Sequence, residues 1–158
     1  TCESANDNSP GQIVVSGHKG AVAKAIELAT EKGAKRAIEL PVSAPFHSKL
    51  MKPAEEEMRE RLDAEQIDIP SVPIVANVTA EAVEDPEEIR KLLVQQVTGT
   101  VRWRESVLWM KEQGVTEMVE LGAGKVLTGL VRRIDRDIAT FNAETPAQID
   151  ELLTKLKG

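Results

Sequence analysis

His47 is one of two histidines in the 158-residue sequence. It stands in Leu40-Pro41-Val42-Ser43-Ala44-Pro45-Phe46-His47-Ser48-Lys49-Leu50-Met51-Lys52-Pro53. Histidine is the side chain suited to taking and returning a proton near neutral pH. Pro45 biases Ala44 away from the helical region, and Pro41 does the same to Leu40. Ser48 is of N-cap type, and Met51, Ala54, Met58 and Leu62 follow at helical spacing. The pattern predicts His47 at the mouth of a strand-to-helix turn, at the end of a sheet. Ligands collect at such places in open α/β folds. A histidine there can equally do no more than hydrogen-bond a loop, and the local sequence leaves both readings open.

Three other groups carry charge or phosphate-loop character. Gly122-Ala123-Gly124-Lys125 lacks the spacing of a P-loop, and Leu127 stands where a Gly-x-Gly-x-x-Gly motif needs its third glycine. It reads as a tight turn, with a helix N-terminus behind it still able to face an anion. Glu55, Glu56, Glu57 and Glu60, with Arg59 and Arg61, read as the solvated side of a helix. Arg132, Arg133 and Arg136, with Lys125 a turn or two earlier, gather positive charge near one helix. That patch suits either steering of an acidic partner or ordinary solvation.

The elements that must position these residues follow from periodicity. The opening residues 1–11 are rich in turn formers. Residues 12–17 read as a strand. Residues 18–32 read as a helix with Val22, Ala25, Ile26 and Ala29 inward and Gly33 as its C′ residue. Residues 35–40 alternate like a strand, completing a β-α-β unit. A helix follows from Ser48 to about Ala64. The apolar run 72–78 predicts a strand buried on both faces. Asp85-Pro86-Glu87-Glu88 is a helix start, and that helix carries Ile89, Leu92, Leu93 and Gln96 until Gly99 breaks it. A helix marked by Trp103, Val107 and Met110 ends at Gly114. Then come a strand over 116–121, a helix bearing Val126, Leu127, Leu130 and Ile134, and a strand over 138–141. Thr145-Pro146-Ala147-Gln148 forms a capping box for a last helix. Strands alternating with helices predict an α/β fold with a largely parallel sheet.

Composition narrows the class. Charged residues make up 29% and hydrophobic residues 41%, the balance of a soluble globular chain. The net charge of −6, with no long basic block, argues against nucleic-acid binding. With two Trp, two Phe and no Tyr, stacking platforms for bases are not on offer. The single Cys2 makes no internal disulfide and fits a reducing compartment. No Cys/His cluster suggests a structural zinc site. No run approaches the length of a membrane-spanning helix, and no basic-then-apolar leader opens the sequence, so neither a membrane nor a secretory destination is expected.

Four ordered runs resemble one enzyme family. They are 8–17 (Asn8-Ser9-Pro10-Gly11-Gln12-Ile13-Val14-Val15-Ser16-Gly17) and 41–51 (Pro41-Val42-Ser43-Ala44-Pro45-Phe46-His47-Ser48-Lys49-Leu50-Met51). The others are Val94-Gln95-Gln96-Val97 with Val101-Arg102-Trp103, and 120–130 from Glu120-Leu121-Gly122 to Thr128-Gly129-Leu130. Together they resemble malonyl-CoA:acyl carrier protein transacylase over essentially the whole sequence. The acyltransferase domains of polyketide synthases share the pattern more loosely.

The resemblance implies the C-terminal half of an α/β-hydrolase-like acyltransferase large subdomain over 41–158. Residues 1–40 would be the second half of a ferredoxin-like small subdomain. It implies a serine that takes malonyl from CoA as an ester and yields it to the phosphopantetheine thiol of acyl carrier protein, in fatty acid biosynthesis in the cytoplasm. No further cofactor and no metal are implied. His47 aligns with the histidine that serves as general base and then general acid. Gln96 aligns with the residue whose backbone carbonyl orients that imidazole. Asn8 matches an asparagine near the acyl pocket, and Phe46 before the histidine points to malonyl over bulkier acyl groups. The family's Gly-His-Ser-x-Gly elbow has no counterpart, since Gly17-His18 is followed by Lys19. Its oxyanion-hole glutamine loop and malonate-clamping arginine are missing too. The expectation is therefore a C-terminal portion, inactive without a nucleophile-bearing N-terminal half. The competing expectations are a non-catalytic module that binds acyl carrier protein or a subunit, and a polyketide synthase acyltransferase fragment.

Overall fold

The computed structural model describes residues 1–157, and its first element is a strand where turn chemistry is expected. β1 (Cys2–Ser9) pairs with β2 (Gln12–Gly17) across Pro10-Gly11, with Gly11 at φ +75°. A two-residue loop can join only antiparallel neighbours. On its other side β1 meets Val101 in a parallel bridge at Asn6. The Val101 N–H donates to the Ala5 carbonyl at 2.8 Å, and the Asp7 N–H donates to the Val101 carbonyl at 2.9 Å. Asn6, Asp7 and Asn8 are thus extended because pairing with β2 and with Val101 holds the strand, which local propensity does not register.

α1 (Lys19–Glu31) rests on β2. Val22, Ala25, Ile26 and Ala29 do share its inward face, but they are half-buried and none is fully covered. Gly33 closes the helix at φ +87°. The expected strand over 35–40 is absent: those residues carry no ladder, and Ile38 and Leu40 are about half exposed. A strand exists only where a neighbour pairs with its backbone, and no described strand lies beside this segment. The β-α-β unit expected in the first forty residues is therefore a hairpin and a helix.

A 3-10 turn (Lys49–Met51) leads into α2 (Lys52–Asp63). The apolar run 72–78 contributes only β3 (Ile74–Ala76), which pairs antiparallel with β4 (Glu81–Val83) in the register Val75↔Ala82. α3 (Pro86–Gln96) begins as expected, with the Asp85 carboxylate accepting the Glu88 N–H at 2.8 Å. α3 packs on α2 and buries Ile89, Leu92 and Val94. Each such side chain contributes about 1.5–3 kcal/mol when fully covered.

Four elements then follow α4 (Trp103–Glu112): β5 (Glu117–Leu121), α5 (Val126–Ile134), β6 (Ala139–Ala143) and α6 (Pro146–Lys157). β5 and β6 are parallel, in the register Val119↔Phe141, with α5 as the crossover. α5 and α6 both pack on β6. Buried here are Val107, Leu130, Val131, Ile138 and Ala143. The Gln148 side chain accepts the Glu144 and Thr145 N–H groups at 2.8 and 3.1 Å, while the Gln148 backbone N–H donates to the Thr145 hydroxyl at 3.4 Å. That is the capping box read from the sequence.

The fold is α/β, but the largely parallel sheet is corrected. The described residues form three two-stranded sheets, of which β5–β6 is parallel. They divide into two units. One comprises Thr1–Asn8 and Gln12–Trp103; the other comprises Ser9–Gly11 and the residues from Arg104 onward. Among the described residues no helix is long and apolar enough to cross a membrane.

Candidate active site

His47 lies in the turn before the 3-10 segment, half-buried, with φ +57°. No strand precedes it, because 35–40 is irregular. Left-handed backbone is uncommon outside glycine, and histidine is among the residues that tolerate it best. Such conformations persist where the surroundings fix them. Here Ser48 does so. It is fully buried, its hydroxyl donates to the Pro45 carbonyl at 2.8 Å, and the same oxygen accepts the Leu50 N–H at 3.4 Å. Ser48 is thus the expected N-cap, of the 3-10 turn, while Met51 occupies the cap position of α2.

The His47 ring meets the end of α3. Nδ1 lies 3.1 Å from the Gln96 backbone carbonyl. A carbonyl oxygen can only accept, so this contact is a hydrogen bond in the tautomer that carries its proton on Nδ1 and keeps a lone pair on Nε2; the Gln96 side-chain nitrogen lies farther from the same Nδ1, at 3.5 Å. Gln96 is the last residue of α3. Carbonyls in the final helical turn have no intrahelical donor, which leaves this one available. The negative end of the helix dipole also favours positive charge developing on the imidazole. The Gln96 side-chain amide donates to the Gly99 carbonyl at 3.0 Å and so holds its own turn. Gly99 fits that turn because a Cβ would approach both the Gln95 carbonyl oxygen and the Val78 side chain to 2.8 Å.

One carboxylate near this turn departs from expectation. Glu55 is 6% exposed and no part of a solvated face; Glu56, Glu57 and Glu60 do lie in solvent. Met58, expected inward, is exposed, so the inward stripe of α2 runs through Glu55 instead. Glu55 accepts from Lys52 at 2.5 Å, from Arg59 at 3.2 Å and from the Thr98 hydroxyl at 2.6 Å. Hydrogen bonds from Lys52 and then Thr98, with the charge of Arg59, hold its carboxyl below the usual range. The sequence did carry a hint, because cations three residues before and four after bracket Glu55 at helical spacing.

Asn8 is half-buried near the end of β1, and Phe46 is 47% exposed beside His47. Neither takes part in the His47–Gln96 bond. The Gly122-Ala123-Gly124-Lys125 turn is confirmed as a turn, with Gly122 at φ +128° and Gly124 at φ +84°. The helix N-terminus behind it faces the chain's own anion. Glu120 accepts the Leu127 N–H at 3.1 Å and the Thr128 N–H at 2.7 Å. Burial pushes the Glu120 carboxyl up, but these bonds outweigh it and the net shift is downward. Arg132, Arg133 and Arg136 line an open hollow of about 720 Å³ with Pro10, Ile138, Ala139 and Thr140. Arg132 donates from Nε to the Thr140 hydroxyl at 2.8 Å.

The family model described as "Acyl transferase domain" matches residues 3–148. The malonyl CoA-acyl carrier protein transacylase of Bacillus subtilis is 46% identical over 153 residues, covering 97% of this chain and 48% of the relative. The crystal structure of acyl-carrier-protein-S-malonyltransferase from Bartonella henselae superposes with a TM-score of 0.95 at 52% identity, over 99% of this chain and 50% of that one. A malonyl-transacylase solved in complex with a type II PKS acyl-carrier protein gives a TM-score of 0.93 at 39% identity, over 98% and 50% of the two chains. The chain spans about half the length of the curated relatives it matches. With that likeness running along nearly all of its length, the chain belongs to the acyl transferase domain family, among relatives that are malonyl CoA-acyl carrier protein transacylases.

Proposed function

We propose that this chain is the C-terminal portion of a malonyl-CoA:acyl carrier protein S-malonyltransferase of fatty acid biosynthesis, acting in the cytoplasm. The observation that supports the reading is the 3.1 Å contact between His47 Nδ1 and the Gln96 backbone carbonyl. With the proton on Nδ1, a neutral carbonyl suffices to anchor the tautomer and Nε2 is the nitrogen left to act as base. In the reaction, Nε2 removes the proton of a serine hydroxyl supplied by the N-terminal half. The serine oxygen bonds to the malonyl carbonyl carbon, the carbon–sulfur bond to CoA breaks, and the imidazolium returns its proton to the CoA thiolate. The same steps in reverse order pass malonyl to the phosphopantetheine thiol of acyl carrier protein. No metal and no further cofactor enter. Asn8 and Phe46 border the acyl group, and Phe46 disfavours branched malonyl analogues.

The division at residue 40 belongs to the same proposal: 1–40 as part of a ferredoxin-like subdomain, 41–158 as the C-terminal half of the α/β-hydrolase-like one. Alone, the chain has no serine elbow and transfers nothing. The test mixes it with the N-terminal half of a relative and radiolabelled malonyl-CoA. Label on the serine of that half, lost by at least a hundredfold in His47→Ala while the circular dichroism spectrum is retained, is the expected result. Unimpaired labelling by His47→Ala refutes the role of His47. Tight carrier binding with no label in any mixture favours the non-catalytic carrier-binding module instead, the reading to which the missing elbow lends weight.

A further inference from the structure

The His47–Gln96 bond joins two segments that are 49 residues apart, and neither holds the other by itself. His47 sits on the loop that enters α2. The Gln96 carbonyl sits where α3 ends. One side chain bonds to both neighbourhoods. Glu55, from the first turn of α2, ties back to Lys52 at the start of that helix and across to Thr98, two residues beyond Gln96. It is buried, and its Oε2 takes the Thr98 hydroxyl at 2.6 Å. A hydroxyl bonded to a carboxylate gives a strong, short tie. The opposing contact is weaker: a neutral 3.1 Å bond that fades steeply with displacement.

We infer that the Glu55–Thr98 pair is a positioning device for His47, locking the turn that carries the Gln96 carbonyl against α2 so that the imidazole keeps its proton on Nδ1. This inference rests on the proposed role of Gln96 as the orienter of His47. Neither Glu55 nor Thr98 touches the ring or any reacting atom in this scheme. They act through the backbone of the Val97–Gly99 turn. Without the tie, Thr98 is free to rotate, the turn keeps only bonds within its own segment, from the Gln96 amide to Gly99 and from the Val97 and Gly99 N–H groups to the last turn of α3, and the ring is released to sample the other tautomer.

With two histidines in the chain, each imidazole is separately readable by nitrogen-15 NMR of the full chain at about pH 8.5, where an ordinary imidazole is neutral. His18→Gln assigns the spectrum. The wild-type chain is expected to show His47 protonated on Nδ1. Thr98→Val, nearly isosteric but without the hydroxyl, is expected to convert His47 to a mixture of tautomers, and Thr98→Ser to restore the wild-type pattern. Glu55→Gln, which keeps the acceptor but drops its charge, shifts the resonance part of the way and decides the matter if Thr98→Val does not fold. In the enzyme reassembled with a relative's N-terminal half, Thr98→Val lowers kcat by roughly tenfold or more with KM for malonyl-CoA unchanged. An Nδ1–H tautomer undisturbed by both substitutions overturns the positioning role and leaves the Gln96 reading standing. A wild-type His47 protonated on Nε2 overturns both together. A fall in kcat with an equal change in KM, or no rescue by serine, also counts against the device.

Discussion

At the scale of single residues, buried charge governs what can be measured. Glu55 is more acidic in the folded chain than its ordinary value of 4.5, through Lys52, Thr98 and Arg59 in turn. A carboxyl depressed in the folded state stabilises that state above its unfolded value, and the contribution is lost as pH falls through the folded value. The urea midpoint of the wild-type chain is therefore expected to drop on acidification below about pH 4.5 more steeply than that of Glu55→Gln. Parallel curves would remove Glu55 from the list of stabilising groups. The turn that carries His47 was legible from the two prolines before it and the cap behind it, while the pairing of His47 with Gln96 came from resemblance alone. Glu55 was misread, because a helical period marks apolar residues as inward and gives no sign that a carboxylate with a distant hydroxyl partner belongs there.

Elements divide the same way between local and distant causes. α3 and α6 begin where Asp85 and Thr145 stand, since a cap bonds within three residues of itself. β1 escaped notice because Asn6, Asp7 and Asn8 are turn formers by local propensity and are extended only by pairing with β2 and with Val101, and 35–40 was over-read because alternation without a neighbour makes no ladder. The N-terminus of α5 lies between these cases. Its cap is Glu120, from the preceding strand and not from the helix itself. Glu120→Ala is expected to lower stability by about 0.5–2 kcal/mol, read as a shifted urea midpoint with an unchanged slope. An unshifted midpoint would mean that solvent satisfies those N–H groups equally well. Because this carboxylate already fills the helix N-terminus, the glycine turn holds no vacant phosphate cradle.

For the molecule as a whole, the arginine-lined hollow and the sheets matter most. The chain is acidic, at −6, yet Arg132, Arg133 and Arg136 share one surface. If that surface receives an acidic carrier, Arg132→Glu with Arg133→Glu raises the apparent KM for acyl carrier protein on the order of tenfold and leaves a small thiol acceptor unaffected. Equal responses from the two acceptors would dismiss the docking role. The sheets bear on handling. A ribbon of two strands has no interior strand, so β5 and β6 each keep an outward row of amides and carbonyls, with Leu121 two-thirds exposed beside it. If the proposed N-terminal half adds a strand there, it and a strand from a neighbouring copy bid for the same edge. Reconstitution and precipitation are then rival outcomes of one pairing reaction, and dilution before mixing tips the contest toward the former.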